Sequence, residues 1–348
     1  MSIPVVAFFN NKGGVGKTSL VYHLAWMYAE LGFRVVGADL DPQANLSAAF
    51  LDEDRLEQLW PEEDHPNTIF GCVQPTIRGT GDIDDPHLEI IEDNDNLALL
   101  IGDLLLSGFE DQLSEQWPKL NSYTKDVKEK SIRVISAFWR IMQKAGVAHQ
   151  ADVILMDLGP NLGAINRAAL IGADFVVVPL SPDLFSLQGL KNLGPTLEQW
   201  RGAWKRALEE NVPLALELPK GRMEPVGYIV LQHSVRLDRP VKAYDRWIAK
   251  IPGIYREKVL EKSVPRGISV YKDPYCLALL KHYRSLVPLA QEARKPIFKL
   301  KSADGAAGGN FKAVQEAYQD FQKLAREIAK STGLALPEPE EYHSLEKS

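Results

Sequence analysis

Residues 12–18 of this 348-residue chain read Lys-Gly-Gly-Val-Gly-Lys-Thr, and nothing else in it narrows the fold as far. An apolar run from Val5 to Phe9 precedes the heptapeptide, and a helix-like segment from Ser19 to Leu31 follows it. Strand, glycine-rich turn and helix in that order make a phosphate-binding loop. Gly13, Gly14 and Gly16 let successive backbone N–H groups curl around an anion, and the helix adds the positive end of its dipole. Lys17 would then meet the β- and γ-phosphates of a nucleotide, and the Thr18 hydroxyl would hold Mg²⁺. The general pattern GxxxxGK[ST] is not met, because its first glycine position is Asn11, and a second lysine, Lys12, opens the turn.

Short continuous apolar runs alternate with helical stretches along the chain. Strands are expected at residues 5–10, 34–39, 97–102, 153–157, 175–180 and 226–232. Helices are expected at 19–31, 109–117, 126–145, 162–171 and 187–207. Strands that are apolar on both faces belong to a sheet covered on both sides, so the fold class is α/β: a doubly wound, mainly parallel sheet. Residues 209–224 read as a loop. Phe311, Val314, Tyr318, Phe321, Leu324, Ala325 and Ile328 recur at helical spacing and predict a closing amphipathic helix. Residues 1–335 are expected to form one domain, followed by an acidic, flexible tail at 336–348.

Two acids close the second strand, in Asp39-Leu40-Asp41-Pro42-Gln43, and one closes the strand at 153–157, in Val153-Ile154-Leu155-Met156-Asp157. At the carboxyl edge of a parallel sheet these side chains overlook the phosphate loop, and Asp157 is placed to hold Mg²⁺ through water. The lone cysteines Cys72 and Cys276 give neither a disulfide framework nor a metal site, and are expected as buried or half-buried thiols. No apolar stretch reaches the length needed to cross a bilayer, and the N-terminus lacks the basic region of a signal peptide. The expected location is cytoplasmic.

The loop with its extra Lys12 resembles the deviant Walker A loop of the ParA/MinD superfamily of ATPases, and Asp39-Leu40-Asp41-Pro42-Gln43 resembles the second motif of ParA proteins. Asn166-Arg167-Ala168-Ala169-Leu170 and Asp183-Leu184-Phe185-Ser186-Leu187-Gln188-Gly189-Leu190 also track that family. The resemblance covers residues 3–200 well. It implies that ATP is bound by Lys12, Gly13, Gly14, Val15, Gly16, Lys17, Thr18 and Ser19, and Mg²⁺ by Thr18 and Asp157 with Asp39 behind them. Asp41 would polarise the attacking water. Lys12 would reach the ATP of a partner subunit, so that ATP binding drives homodimerisation. Family members usually carry two prolines after the Asp157 strand, whereas this chain has Pro160-Asn161.

The same resemblance implies non-specific DNA binding and an adaptor of the ParB kind that stimulates hydrolysis, which together partition or position DNA or other cargo. Arg236, Arg239 and Lys242 are the candidate phosphate-backbone contacts, with Arg201, Lys205, Arg206, Lys220 and Arg222 as a possible extension. The net charge of −6 gives no general attraction to DNA. Trp200, Trp204 and Trp247 are expected to pack rather than stack on bases. The chain begins at its first strand, like the small ParA type without an operator-reading domain. The alternative is a MinD-like ATP switch that recruits a protein complex without DNA. The acidic residues after the closing helix argue against membrane binding. An iron–sulfur ATPase would need cysteines near Asp157, and there are none.

Overall fold

The computed structural model describes residues 2–62, 64–209, 216–232, 241–283 and 285–335. Among these, eight strands form one sheet: β1 (Val5–Phe8), β2 (Val35–Asp39), β3 (Glu89–Ile90), β4 (Leu97–Leu100), β5 (Val153–Asp157), β6 (Phe175–Leu180), β7 (Glu224–Gln232) and β8 (Cys276–Lys281). Their order is β3-β4-β2-β5-β1-β6-β7-β8, and only the β3–β4 pair is antiparallel. β1, β2, β4 and β5 are buried along their whole length, which is why they read as unbroken apolar runs. In the β2–β5 register Asp39 stands opposite Asp157, so two of the three acids meet at the carboxyl edge.

Each face of the sheet carries its own core. On one side the helices Ile69–Arg78, Ala137–His149, Ala164–Ile171 and Leu184–Glu209 pack on Ala7, Val36, Ile154 and Val176. On the other, Lys17–Glu30 and Gly309–Thr332 pack on Val6, Val35, Leu155 and Val177. The doubly wound α/β expectation therefore holds. Of the apolar stripe of the closing helix, Val314, Phe321, Leu324, Ala325 and Ile328 are buried in this second core, Tyr318 is half-buried and Phe311 is exposed. Among the described residues no helix is long and apolar enough to cross a membrane.

Several elements differ from expectation. The predicted helix at 126–145 is two helices, Lys125–Ile135 and Ala137–His149, broken at the buried Ser136 (φ −84°, ψ 0°), whose hydroxyl bonds back to the Arg133 carbonyl. The short helices Asn45–Phe50 and Glu53–Leu59, and the strands β3 and β8, have no counterpart in the sequence pattern. The predicted tail at 336–348 lies outside the described residues. Cys72 is buried and Cys276 half-buried, and burial pushes both thiols up to about 12.

Where the two helices of the second core meet, His23 lies in the protein as a neutral ring. Its Nδ1 faces the Ser19 carbonyl at 2.7 Å, its Nε2 accepts from the Ile297 N–H at 3.2 Å, and it stacks on Phe321. A proton on Nε2 would face another N–H inside the core, and burial lowers the pKa from 6.5 to about 4. Between these values the unfolded chain binds a proton that the folded chain refuses. This contribution is therefore complete above pH 6.5 and is lost as the pH falls toward 4, by about 3 kcal/mol. Urea titrations from pH 7 to 4 are expected to show that loss, and His23→Phe to flatten it.

Candidate nucleotide site

The turn between β1 and the helix Lys17–Glu30 has the backbone that its glycines permit. Gly14 (φ +69°) and Gly16 (φ +86°) are left-handed, a conformation that other residues adopt at a cost. The helix they introduce has no side-chain cap and no acid in its first turn, so its first N–H groups face the loop without a competing carboxylate. Asn10 fixes the turn from below: its Nδ2 donates to the Pro179 carbonyl of β6 (2.7 Å), and its Oδ1 accepts from the Lys12 N–H (3.0 Å). Val15 is buried, while Gly13, Gly14 and Ser19 are exposed.

Lys17 is buried (7% exposed), and its ammonium donates to the Lys12 carbonyl at 3.3 Å. Burial lowers its pKa, and the charges of Asp157 and Asp41 oppose that shift. Asp157 is fully buried, and neither carboxylate oxygen has a partner in hydrogen-bond geometry, although the Thr18 hydroxyl lies beside it. Burial, with Asp39 and Asp41 adding to it, pushes Asp157 up to about 8.

Asp39 is built differently. Its Oδ2 accepts from both the N–H and the hydroxyl of Ser47 (2.8 Å each), and the Ser47 oxygen in turn accepts from the Gly102 N–H. Asp39 therefore ties β2 to the segment after β4, and burial raises it to about 7. Asp41 accepts from the Gln43 N–H at 3.0 Å and stands against Gly159, where a Cβ would come within 3.2 Å of its Oδ1.

These residues fit a nucleotide and its cation. The two buried oxygens of Asp157 lie beside the Thr18 hydroxyl without a hydrogen bond of full geometry, and so keep acceptor capacity for a hydrated cation. No group of three or more His, Cys, Asp or Glu side chains among the described residues makes a metal cage. A cation here would need phosphate oxygens and water for the rest of its shell, as Mg²⁺ does with nucleotides.

The Lys12 ammonium is paired with Asp183. Asp183 Oδ1 accepts from the N–H groups of Phe185 (2.9 Å) and Ser186 (3.0 Å), at the start of the helix Leu184–Glu209. Neither this partner of Lys12 nor the role of Ser47 was assigned from sequence. Asp183 did stand in a family-like stretch, whereas nothing in the pattern singled out Ser47.

Of the candidate DNA contacts only Lys242 lies among the described residues. Arg236 and Arg239 lie outside the described residues, and Lys242 falls in the helix Val241–Ile248. Arg201 pairs with Glu198 and donates to the Arg222 and Met223 carbonyls, Lys205 faces Glu209, and Arg222 faces Asp174. These cations are balanced, and Asp174 and Glu224 place them at the opposite end of the strands from the loop. Trp200 and Trp204 are buried, and Trp247 is half-buried under Arg246 and Lys250, so packing explains them.

A left-handed glycine loop with two lysines, under a triad of strand-end acids on a doubly wound sheet, defines a P-loop NTPase of the deviant kind. The chain belongs to the AAA domain family AAA_31, whose model matches residues 3–210, and it is a ParA-like ATPase of the ParA/MinD superfamily. It is 26% identical over 274 residues to the chromosome partitioning protein ParA of Caulobacter vibrioides, covering 78% of this chain and 83% of that one. It is 24% identical over 273 residues to the sporulation initiation inhibitor Soj of Bacillus subtilis, covering 78% and 87%. The ATP complex of Cyanothece McdA(D38A) shares the fold, with a TM-score of 0.59 and 13% identity over 96% of this chain and 98% of that one.

Proposed function

We propose that the chain is an ATP-switched homodimer that partitions or positions DNA or another cargo. The observation that carries this reading is the Lys17–Thr18–Asp157 constellation beneath an uncapped helix start, with Lys12 at the mouth of the loop. ATP binds residues 12–19, with Lys17 against its phosphates, and Thr18 and Asp157 hold Mg²⁺, which would offset phosphate charge. Asp41 orients the attacking water, and Asp39 keeps the β2 end in place through Ser47.

Lys12 must leave Asp183 to reach a second subunit. The pair is partly buried, with side chains 28% and 21% exposed, so ATP and the second subunit together must replace what Asp183 gives Lys12. Exposed Leu104 and Leu105 after β4, and Leu184 and Phe185 after β6, provide apolar surface on that edge for a second copy.

The ATP-bound dimer binds DNA non-specifically through the 236–242 region, and an adaptor that stimulates hydrolysis releases it. Binding to random duplex DNA is expected with ATP and Mg²⁺ only, to weaken steeply with salt, and to vanish in Lys12→Ala. Dimerisation by ATP without DNA binding would favour the second reading, a MinD-like switch that recruits a protein complex. The balanced state of Arg201, Lys205 and Arg222 supports that second reading.

A further inference from the structure

The loop that leaves β5, residues 158–163, runs from the buried Asp157 past Gly159, where a Cβ would stand 3.2 Å from Asp41 Oδ1, to the helix Ala164–Ile171. Its shape is held by side chains and not by a second proline. The Asn161 side-chain oxygen accepts from the Gly163 N–H at 2.8 Å. The buried Asn166 amide donates to the carbonyls of Gly159 (2.9 Å) and Asn161 (2.8 Å). A carboxylate from another part of the chain completes the set. Glu110, at the start of the helix Glu110–Lys119, accepts from the Ala164 N–H with one oxygen and from the Ile165 N–H (2.8 Å) with the other.

This is a fitted contact and not a passing one. Two adjacent helix-start N–H groups take both oxygens of one carboxyl group, at the end of the helix whose dipole favours it. Gly163 makes room for it, since a Cβ there would stand 2.6 Å from Glu110 Oε1. Seven residues along the same helix, Trp117 carries the Arg167 guanidinium on its ring at 4.2 Å. The helix after β4 therefore grips the helix after β5 at two points, about two turns apart along its own length.

We propose that Glu110 is a positioning residue for hydrolysis: it fixes residues 159–163 so that the Gly159 backbone stays beside Asp41. This rests on the reading of Asp41 as the group that orients water. The contacts of Glu110 are to Gly163, Ala164 and Ile165, and the loop it holds meets the phosphate loop only loosely, a Cβ at Gly13 standing 3.8 Å from Pro160, so its loss is expected to slow the chemical step more than it weakens nucleotide binding. A displacement near 1 Å at a reacting group can cost two orders of magnitude in rate.

The test compares wild type, Glu110→Ala and Glu110→Gln by three readings: affinity for a fluorescent ATP analogue, steady-state phosphate release, and hydrogen exchange at the Ala164 and Ile165 amides. Glu110→Ala is expected to bind the analogue within threefold of wild type, to release phosphate at least about tenfold more slowly, and to exchange both amides faster. Glu110→Gln keeps the shape and one acceptor, and should fall between. If Glu110→Ala does not fold, Glu110→Gln carries the same comparison. Unchanged phosphate release beside faster exchange, or an equal loss of affinity and rate, overturns the proposal. A wild type that binds ATP and never hydrolyses it would instead refute the proposed function.

Discussion

Lys17→Ala is expected to weaken ATP binding by about 100-fold or more, and Lys12→Ala to leave monomer affinity within a few-fold. The difference follows from where the two ammonium groups sit. Lys17 is buried and already stripped of water, with Asp157 and Asp41 as its opposing charges. A phosphate arriving there meets a pre-positioned cation, and one or two hydrogen bonds to a charged group are worth roughly 1.5–3 kcal/mol each. Removing it also leaves three strand-end acids with no cation among them, which repels the phosphates further. Lys17→Arg should not rescue, since a planar fork does not fit where a compact ammonium does. Lys12 is only partly buried and spends its charge on Asp183. Titration of a fluorescent ATP analogue against the three variants reads this directly. Equal losses in Lys12→Ala and Lys17→Ala would mean that the two lysines share one role.

The largest expected effect on stability lies away from the site. Gly194, inside the helix Leu184–Glu209, passes so close to the turn at Tyr255–Val259 that a Cβ would stand 1.7 Å from the Lys258 carbonyl oxygen. The other nearest atoms are also backbone, Lys258 C and Val259 Cα, so no rotamer change relieves the clash. Gly194→Ala must push the helix and the turn apart, at a cost of roughly 3 kcal/mol or more. Gly202 on the same helix supplies the opposite sign: a Cβ there meets only the tip of Arg206, at 3.4 Å. Gly202→Ala should gain up to about 1 kcal/mol from helix propensity. Urea midpoints moving the same way for both variants would contradict this packing.

What the sequence shows well is what depends on local pattern. The buried strands read as apolar runs because both faces of the sheet are covered, and the phosphate loop reads from its glycines and lysines. Asp39, Asp41 and Asp157 read from their places at strand ends. What it hides depends on partners distant in the chain. Ser47 and Gly102 make Asp39 a buried tie, Asp183 holds Lys12, and Glu110 reaches the helix after β5 from more than fifty residues away. Asn161, which stands where a second proline was expected, bonds its own turn instead, so the constraint is kept by other chemistry. The missed strand β8 is a half-buried edge strand, and Gly194 looks from sequence like any helix glycine until Lys258 is placed against it.

The central claim is that ATP joins two copies of this chain through Lys12. Light scattering of the 38.8 kDa chain with ATP and Mg²⁺, with ADP, and without nucleotide tests it most directly. The account predicts a doubling of mass with ATP alone, abolished in Lys12→Ala even though that variant still binds ATP. A wild type that stays monomeric when saturated with ATP, or a Lys12→Ala variant that dimerises as well as wild type, would contradict it.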